Sequence, residues 1–201
     1  MKVFIIGLPD SGRTTVARAV CQEGAYQYAN ASSWLSCLFR ERKSGEHIQQ
    51  YQEEYHQYLS NRIKLDPDIC INNVVDSIKC NNKPDSNFVI DGVMSPRDFT
   101  YLFDINKDIV IFLNRLDNLE EYKDSAGIAV SVIRDYCFWL ASAGFLSKDR
   151  WIEYNFKIPG EDSSFVKELG SKNKVFLVKS INKVISHLKE ILSINLLNHQ
   201  S

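Results

Sequence analysis

The sequence predicts an α/β protein of three layers, in which a five-stranded parallel sheet carries helices on both faces. Three observations point there. Short apolar, β-branched runs recur along the chain, the habit of strands buried on both sides. Stretches with apolar residues at steps of three and four lie between them. A glycine-bearing turn joins the first apolar run directly to the first helical stretch. Strands that alternate with helices indicate a parallel sheet wrapped by helices.

The first strand is Met1 to Ile6, followed by a turn from Gly7 to Gly12 and a helix with Val16, Ala17, Val20 and Cys21 at helical spacing. Ala25 to Ala29 reads as the second strand. Ala31 to Arg42 reads as a helix with Trp34, Leu35, Leu38 and Phe39 on one face. Another helix carries Ile48, Tyr51, Tyr55, Leu59 and Ile63. Asp66-Pro67 is a helix start, since Asp can cap and Pro tolerates the first helical position. The helix after it buries Ile69, Val74, Val75 and Ile78. Asn81 to Asn87, with Pro84, is a loop. Phe88 to Asp91 is the third strand and ends in an acid. Ser95-Pro96 opens a short helix that runs through Phe103. Asp108 to Leu113 is the fourth strand, and Ile128 to Phe145 is mostly helical. Lys157 to Lys174 is irregular, with Pro159, Gly160 and Gly170. Val175 to Val178 is the last strand. Ser180 caps a final helix with Ile181, Val184, Ile185, Leu188 and Leu192 on its apolar face, and residues 198–201 are frayed.

At 201 residues, with no internal repeat and no low-complexity linker, the chain reads as one domain over 1–201. The helical stretch of about 31–80 is too long for a plain crossover and forms a subdomain beside the sheet. Hydrophobic residues at 44% and charged residues at 24% exclude a disordered chain. Lys+Arg total 24 and Asp+Glu 25, so bulk attraction to nucleic acid or to an anionic membrane is not expected. An anionic ligand must be held by one specific site. The five cysteines are odd in number and form no C-x-x-C pair, which reads as reduced thiols in a cytoplasmic protein. The four histidines show no metal-ligand spacing. The apolar run after Lys2 is broken at once by Gly7 and Pro9, too short for a signal peptide or a membrane span.

Gly7-Leu8-Pro9-Asp10-Ser11-Gly12-Arg13-Thr14-Thr15 matches G-x-x-x-x-G-[K/R]-[S/T]. Small residues let successive backbone N–H groups turn inward around a phosphate. A helix N-terminus behind the loop favours the anion. A cation at the helix start, here Arg13, reaches the outer phosphates, and the Thr14 hydroxyl can ligate Mg²⁺. The plainer reading is a glycine turn that binds nothing. The usual residue at position 13 is Lys, and Arg is longer and planar. Either Arg13 still neutralises the transferred phosphoryl group, or the site binds nucleotide and turns over poorly.

With these motifs in view, most of residues 1–115 resembles the adenylate-kinase-like nucleoside monophosphate kinases. In that family the second strand leads into a Ser-Thr-Gly-Asp-Leu-Leu-Arg-like helix start at the monophosphate site. Tyr28-Ala29-Asn30-Ala31-Ser32-Ser33-Trp34-Leu35 stands in its place, with Arg40 slightly beyond. A helix opening at Asp66-Pro67-Asp68 matches the family's helical monophosphate-binding insertion. Phe88-Val89-Ile90-Asp91-Gly92-Val93-Met94-Ser95-Pro96-Arg97 matches the strand that ends in Asp-Gly-Phe-Pro-Arg.

The resemblance implies a P-loop NTPase fold and ATP-dependent phosphoryl transfer to a nucleoside or deoxynucleoside monophosphate, with ATP and Mg²⁺ as cofactors. It implies that residues 7 and 9–15 hold the donor, and that Thr14 and Asp91 hold the metal. Arg13, Asp91 and Arg97 would serve the transfer, with Ser32, Ser33, Arg40, Gly92, Arg97 and Arg134 toward the acceptor. Two polyanions brought together need several converging cations and in-line geometry.

The departures are specific. Two extra residues separate Asp91-Gly92 from Pro96-Arg97. Ser32-Ser33-Trp34 replaces the small Thr-Gly pair. A lid would fall at about 116–150, where Lys123, Arg134, Lys148 and Arg150 are the cations. Two alternatives follow: a nucleotide-binding protein of the same fold with little or no kinase activity, and a P-loop kinase for another small acceptor. Plainer readings also stand beside the single residues. Asp91 would be a strand-end cap, Arg40 part of a solvated helix face, the tyrosines at 51, 55 and 58 helix packing, and Trp139 and Trp151 packing residues.

Overall fold

The computed structural model describes residues 1–8, 11–22, 26–31, 35, 38–39, 52–80, 86–93, 95–115, 125–147, 149–156, 167–170, 174–178 and 181–199. In chain order these form β1 (Lys2–Gly7), α1 (Arg13–Cys21), β2 (Tyr26–Asn30), α2 (Gln52–Leu65), α3 (Ile69–Cys80), β3 (Asn87–Asp91), α4 (Pro96–Leu102), β4 (Ile109–Arg115), α5 (Ser125–Ser142), β5 (Trp151–Phe156), β6 (Lys167–Gly170), β7 (Lys174–Val178) and α6 (Ile181–His199).

The strands make one sheet in the order β2-β3-β1-β4-β5-β7-β6. All neighbours run parallel except β6, which is antiparallel to β7. β1 therefore lies inside the sheet, with Val3 opposite Val89 on one side and Ile109 on the other. That position explains its apolar run: Val3, Phe4, Ile5 and Ile6 are all buried. The alternation of the strands divides the core in two. Phe4, Ile6, Phe88, Ile90, Val110 and Phe112 meet α3, α4 and α5 through Ile69, Val74, Phe99, Ile133 and Cys137. On the other face Val3, Ile5, Val89, Ile111 and Leu113 meet α1 and α6 through Val16, Ala17, Val20, Val184, Leu188 and Leu192. The result is a three-layer α/β arrangement, with helices packed on both faces of a mostly parallel sheet.

All five expected strands are present and mutually parallel, but the sheet has seven. β5 lies between β4 and β7. It was hidden because Glu153 and Asn155 interrupt an otherwise apolar stretch, and polar residues in a central strand are tolerated only when hydrogen-bonded. Asn114 Nδ2 bonds both, at 2.5 Å to Glu153 Oε1 and 3.1 Å to Asn155 Oδ1. β6 falls inside the stretch expected to be irregular. It pairs on one side only, where a short Lys-Glu-Leu-Gly edge suffices.

Helix boundaries follow local chemistry. Ser95 caps α4, its hydroxyl accepting from Asp98 N at 3.1 Å, with Pro96 at the first helical position. Asp66 does not open α3 directly. Its carboxylate accepts from Asp68 N at 3.1 Å, closing a turn that hands over to the helix at Ile69. Ser180 and most of the expected helix over 31–42 lie outside the described residues. Leu35, Leu38 and Phe39 have helical backbone, and Phe39 packs on Tyr55 and Tyr58 at 5.2 and 5.5 Å between ring centroids. Those two tyrosines are thus packing residues. The final helix continues to His199, past the point where fraying was expected. Among the described residues no helix is long and apolar enough to cross a membrane.

Candidate functional site

The loop after β1 is shaped by two glycines. A Cβ on Gly7 would lie 2.5 Å from Ser11 Oγ and 2.6 Å from the Leu113 carbonyl, so only glycine lets the loop fold back on the strand end. Gly12 has φ 77° and ψ 15°, and a Cβ there would lie 2.0 Å from Ile181 Cδ1 at the start of α6. The turn closes with Ser11 N donating to the Leu8 carbonyl at 3.2 Å, and α1 starts with Val16 N donating to the Gly12 carbonyl at 2.9 Å.

α1 begins with no side-chain cap and no acid in its first turn. Its first backbone N–H groups therefore keep their partial positive charge for an incoming group. Ser11 is buried, and among the described residues its Oγ has no hydrogen-bond partner. A sealed hydroxyl beside a bare helix N-terminus is a donor set that fits a phosphate. Arg13, Thr14 and Thr15 follow on the first turn. Pro9 and Asp10, also expected in the loop, lie outside the described residues.

Asp91 ends β3, next to β1, and is 1% exposed. A carboxylate this buried needs donors, and among the described residues it has three. Thr14 Oγ1 donates to Oδ2 at 2.7 Å, Tyr28 Oη donates to Oδ1 at 2.9 Å, and Asn30 Nδ2 also donates to Oδ1. The parallel register places Asn30 directly opposite Asp91 and puts Tyr28 on the same face of β2. Burial, then the Asp91 charge, pushes the Tyr28 phenol up to about 12, so it stays a proton donor at neutral pH. The Arg18 guanidinium carbon stands 5.7 Å from the centre of the Tyr28 ring. Burial and the same carboxylate push the Cys21 thiol up to about 11, which keeps it uncharged. Thr14 and Asp91 thus bring a hydroxyl and a carboxylate oxygen together at the helix start, hard oxygen ligands that fit Mg²⁺.

The other expected residues are distributed more widely. Gly92 follows Asp91 with a left-handed backbone, φ 72°. Arg97, on the first turn of α4, pairs with Asp68 Oδ1 at 2.6 Å and donates to the Pro67 carbonyl at 3.2 Å, both partners in the turn before α3. This pair is exposed, 59% and 52%, and so contributes little to stability. Arg134, on α5, pairs at 2.6 Å with the buried Glu153 of β5, two strands away from β1. Ser32, Ser33, Trp34 and Arg40 lie outside the described residues. Residues 116–124 of the expected lid range do too, while α5 within that range is anchored by buried Ile133, Cys137 and Leu140. Trp151 is 3% exposed and packs edge-on to Phe112 and Phe138, whereas Trp139 is 58% exposed.

Sequence reasoning assigned no role to Tyr28, Asn30, Asn73, Asn114 or Glu153. Asn73 of α3 donates to the carbonyls of Asn30 at 2.9 Å and Ala31 at 3.0 Å, holding the end of β2 in place. Tyr28 and Asn30 are alternate residues of β2, which runs one residue past the expected Ala25–Ala29 strand, so they share a face.

No protein-family model matches the sequence, and no curated protein sequence is significantly similar to it. Among solved structures, the chain aligns with a shikimate kinase from Aquifex aeolicus over 98% of its own length and 99% of the other, at 14% identity and a TM-score of 0.43. A shikimate kinase from Acinetobacter baumannii in complex with shikimate aligns over 98% and 93%, at 14% identity and a TM-score of 0.39. A sugar kinase from Janibacter sp. aligns over 96% and 94%, at 10% identity and a TM-score of 0.38.

Proposed function

We propose that this chain is an ATP- and Mg²⁺-dependent phosphotransferase acting on a small acceptor. The observation that carries the proposal is the meeting of Thr14 and Asp91 beside a bare helix N-terminus and the unpartnered Ser11 hydroxyl. When bound, the nucleotide supplies an activated phosphoryl group. The loop's backbone N–H groups and Ser11 hold its phosphates. Thr14 Oγ1 and Asp91 Oδ2 would hold the metal, whose charge would offset that of the phosphates, while Tyr28 and Asn30 hydrogen-bond Asp91 Oδ1. Arg13 neutralises charge that develops on the transferred group.

For the acceptor, two readings have separate support. The series Asp91-Gly92 to Pro96-Arg97 favours a nucleoside monophosphate, with Arg97 exchanging its exposed Asp68 partner for the phosphate. Against it, Arg97 and Arg134 each already face a carboxylate. That favours an acceptor without a phosphate. The test is phosphoryl transfer from MgATP, followed by ³¹P NMR, across monophosphates and unphosphorylated alcohols, with Arg13→Ala as control. Transfer to any acceptor that is lost in Arg13→Ala supports the reading. MgATP binding without transfer means that the chain binds nucleotide and is no kinase.

A further inference from the structure

A cavity of about 350 Å³ opens between α2 and α3, lined among the described residues by Arg62, Asp66, Ile69, Asn72, Asn73 and Asp76. Ile69, Asn72, Asn73 and Asp76 follow helical spacing, so one face of α3 forms its wall. Arg62 contributes the guanidinium of the described lining; its Nε is buried and, among the described residues, has no hydrogen-bond partner. Asn73 links this wall to the transfer site, because it donates to the carbonyls of Asn30 and Ala31 while the Asn30 amide donates to Asp91. Arg97 pairs with Asp68 and donates to the Pro67 carbonyl, in the turn between the lining residues Asp66 and Ile69.

We infer that this cavity receives the phosphoryl acceptor, and that the acceptor is a small polyhydroxylated molecule rather than a nucleotide. The inference rests on the phosphotransferase reading above. Its volume lies near the small end of ligand pockets, roughly 300–1,000 Å³. A nucleobase needs apolar faces, and Ile69 is the one apolar side chain in the described lining. Among the described lining residues, two carboxylates stand against one guanidinium, a balance that disfavours a phosphate monoester. Hydroxyl groups suit the same lining in both directions: they donate to Asp66 and Asp76 and accept from Arg62 and Asn72. In the transfer, an acceptor hydroxyl oxygen bonds the γ-phosphorus as the bond to the β–γ bridging oxygen breaks. ADP leaves with that electron pair, and the hydroxyl proton passes to solvent.

The experiment measures ADP release from MgATP by the full chain with myo-inositol, D-glucose, D-gluconate and glycerol, and in parallel with AMP, CMP, GMP and UMP. At least one polyol is expected to raise the rate about tenfold over the acceptor-free rate, with no response to the monophosphates. Asn72→Ala and Asp76→Asn, at exposed positions, should then raise the KM of that polyol by about tenfold and leave the Kd of MgATP unchanged. Stimulation by a monophosphate and by no polyol overturns the inference while the phosphotransferase reading survives. An unchanged KM in both variants overturns the placement of the acceptor. MgATP binding with no stimulation by any polyol also overturns it, and failure to bind MgATP removes both readings.

Discussion

Replacing Asp91 by Asn separates the structural part of this side chain from its electrostatic part. The amide keeps the shape. Its oxygen can still accept from Tyr28 and Asn30, and its NH₂ can donate to Thr14, whose hydroxyl turns to accept. Three charge-assisted hydrogen bonds become neutral ones, a loss of about 1 kcal/mol each, offset by relief from burying a charge. The net change in stability should therefore be at most about 2 kcal/mol, or a fall in Tm of roughly 4–8 °C. Nucleotide binding should change more, and in opposite directions. Losing a metal ligand weakens MgATP by about tenfold or more, on the order of 1.4 kcal/mol. Removing a negative charge on the order of 8 Å from the polyphosphate strengthens metal-free ATP by about 2 kcal/mol at an effective dielectric near 20, less in salt. Calorimetric titrations with Mg²⁺ and with EDTA read both numbers. The ratio of the two affinities should move by about a hundredfold against MgATP. If both affinities shift together, or neither shifts, Asp91 does not hold the metal.

Further predictions concern the loop, the sheet edge and α4. Gly12→Ala forces a left-handed residue and drives a methyl group onto Ile181, which should cost about 2–3 kcal/mol and roughly 4–12 °C of Tm; adding Ile181→Ala should restore part of it. Arg134→Ala leaves Glu153 buried with Asn114 as its one close donor among the described residues, and because Arg134 is half exposed the cost should be about 1–2 kcal/mol by urea unfolding. Glu153→Gln in that background should recover most of it. Burial holds the Asp98 carboxyl above its ordinary 3.8. The unfolded chain therefore gives up this proton first, and stability falls as pH rises through 3.8 to the raised folded value. Asp98→Asn should flatten that part of the stability–pH curve, and an unaltered curve would count against the assignment.

The glycine turn between β1 and α1 was legible because its requirements are local: small residues, a strand before it and a helix after it, all set by the backbone. Ser95-Pro96 was legible for the same reason, since a cap and the first turn of a helix are decided within four residues. β5 was not. Its Glu153 and Asn155 look solvent-facing until Asn114 and Arg134 arrive from other elements. Asp91 was singled out by its place at a strand end, but its donors Tyr28 and Asn30 depend on β2 pairing with β3, which no local pattern specifies. Arg97 was expected to face a phosphate. Its ion pair with Asp68 needs the turn before α3 to come across to α4, a contact between segments 29 residues apart in sequence.

The central claim is that the loop from Gly7 to Thr15 holds the phosphates of a nucleoside triphosphate, with the metal between Thr14 and Asp91. Isothermal titration of MgATP into the full chain tests it most directly. The account predicts a saturable one-to-one binding curve that is lost in Arg13→Ala and weakened in Thr14→Val, with both variants folded by circular dichroism. The absence of binding to the wild-type chain, or undiminished binding in both variants, would contradict it.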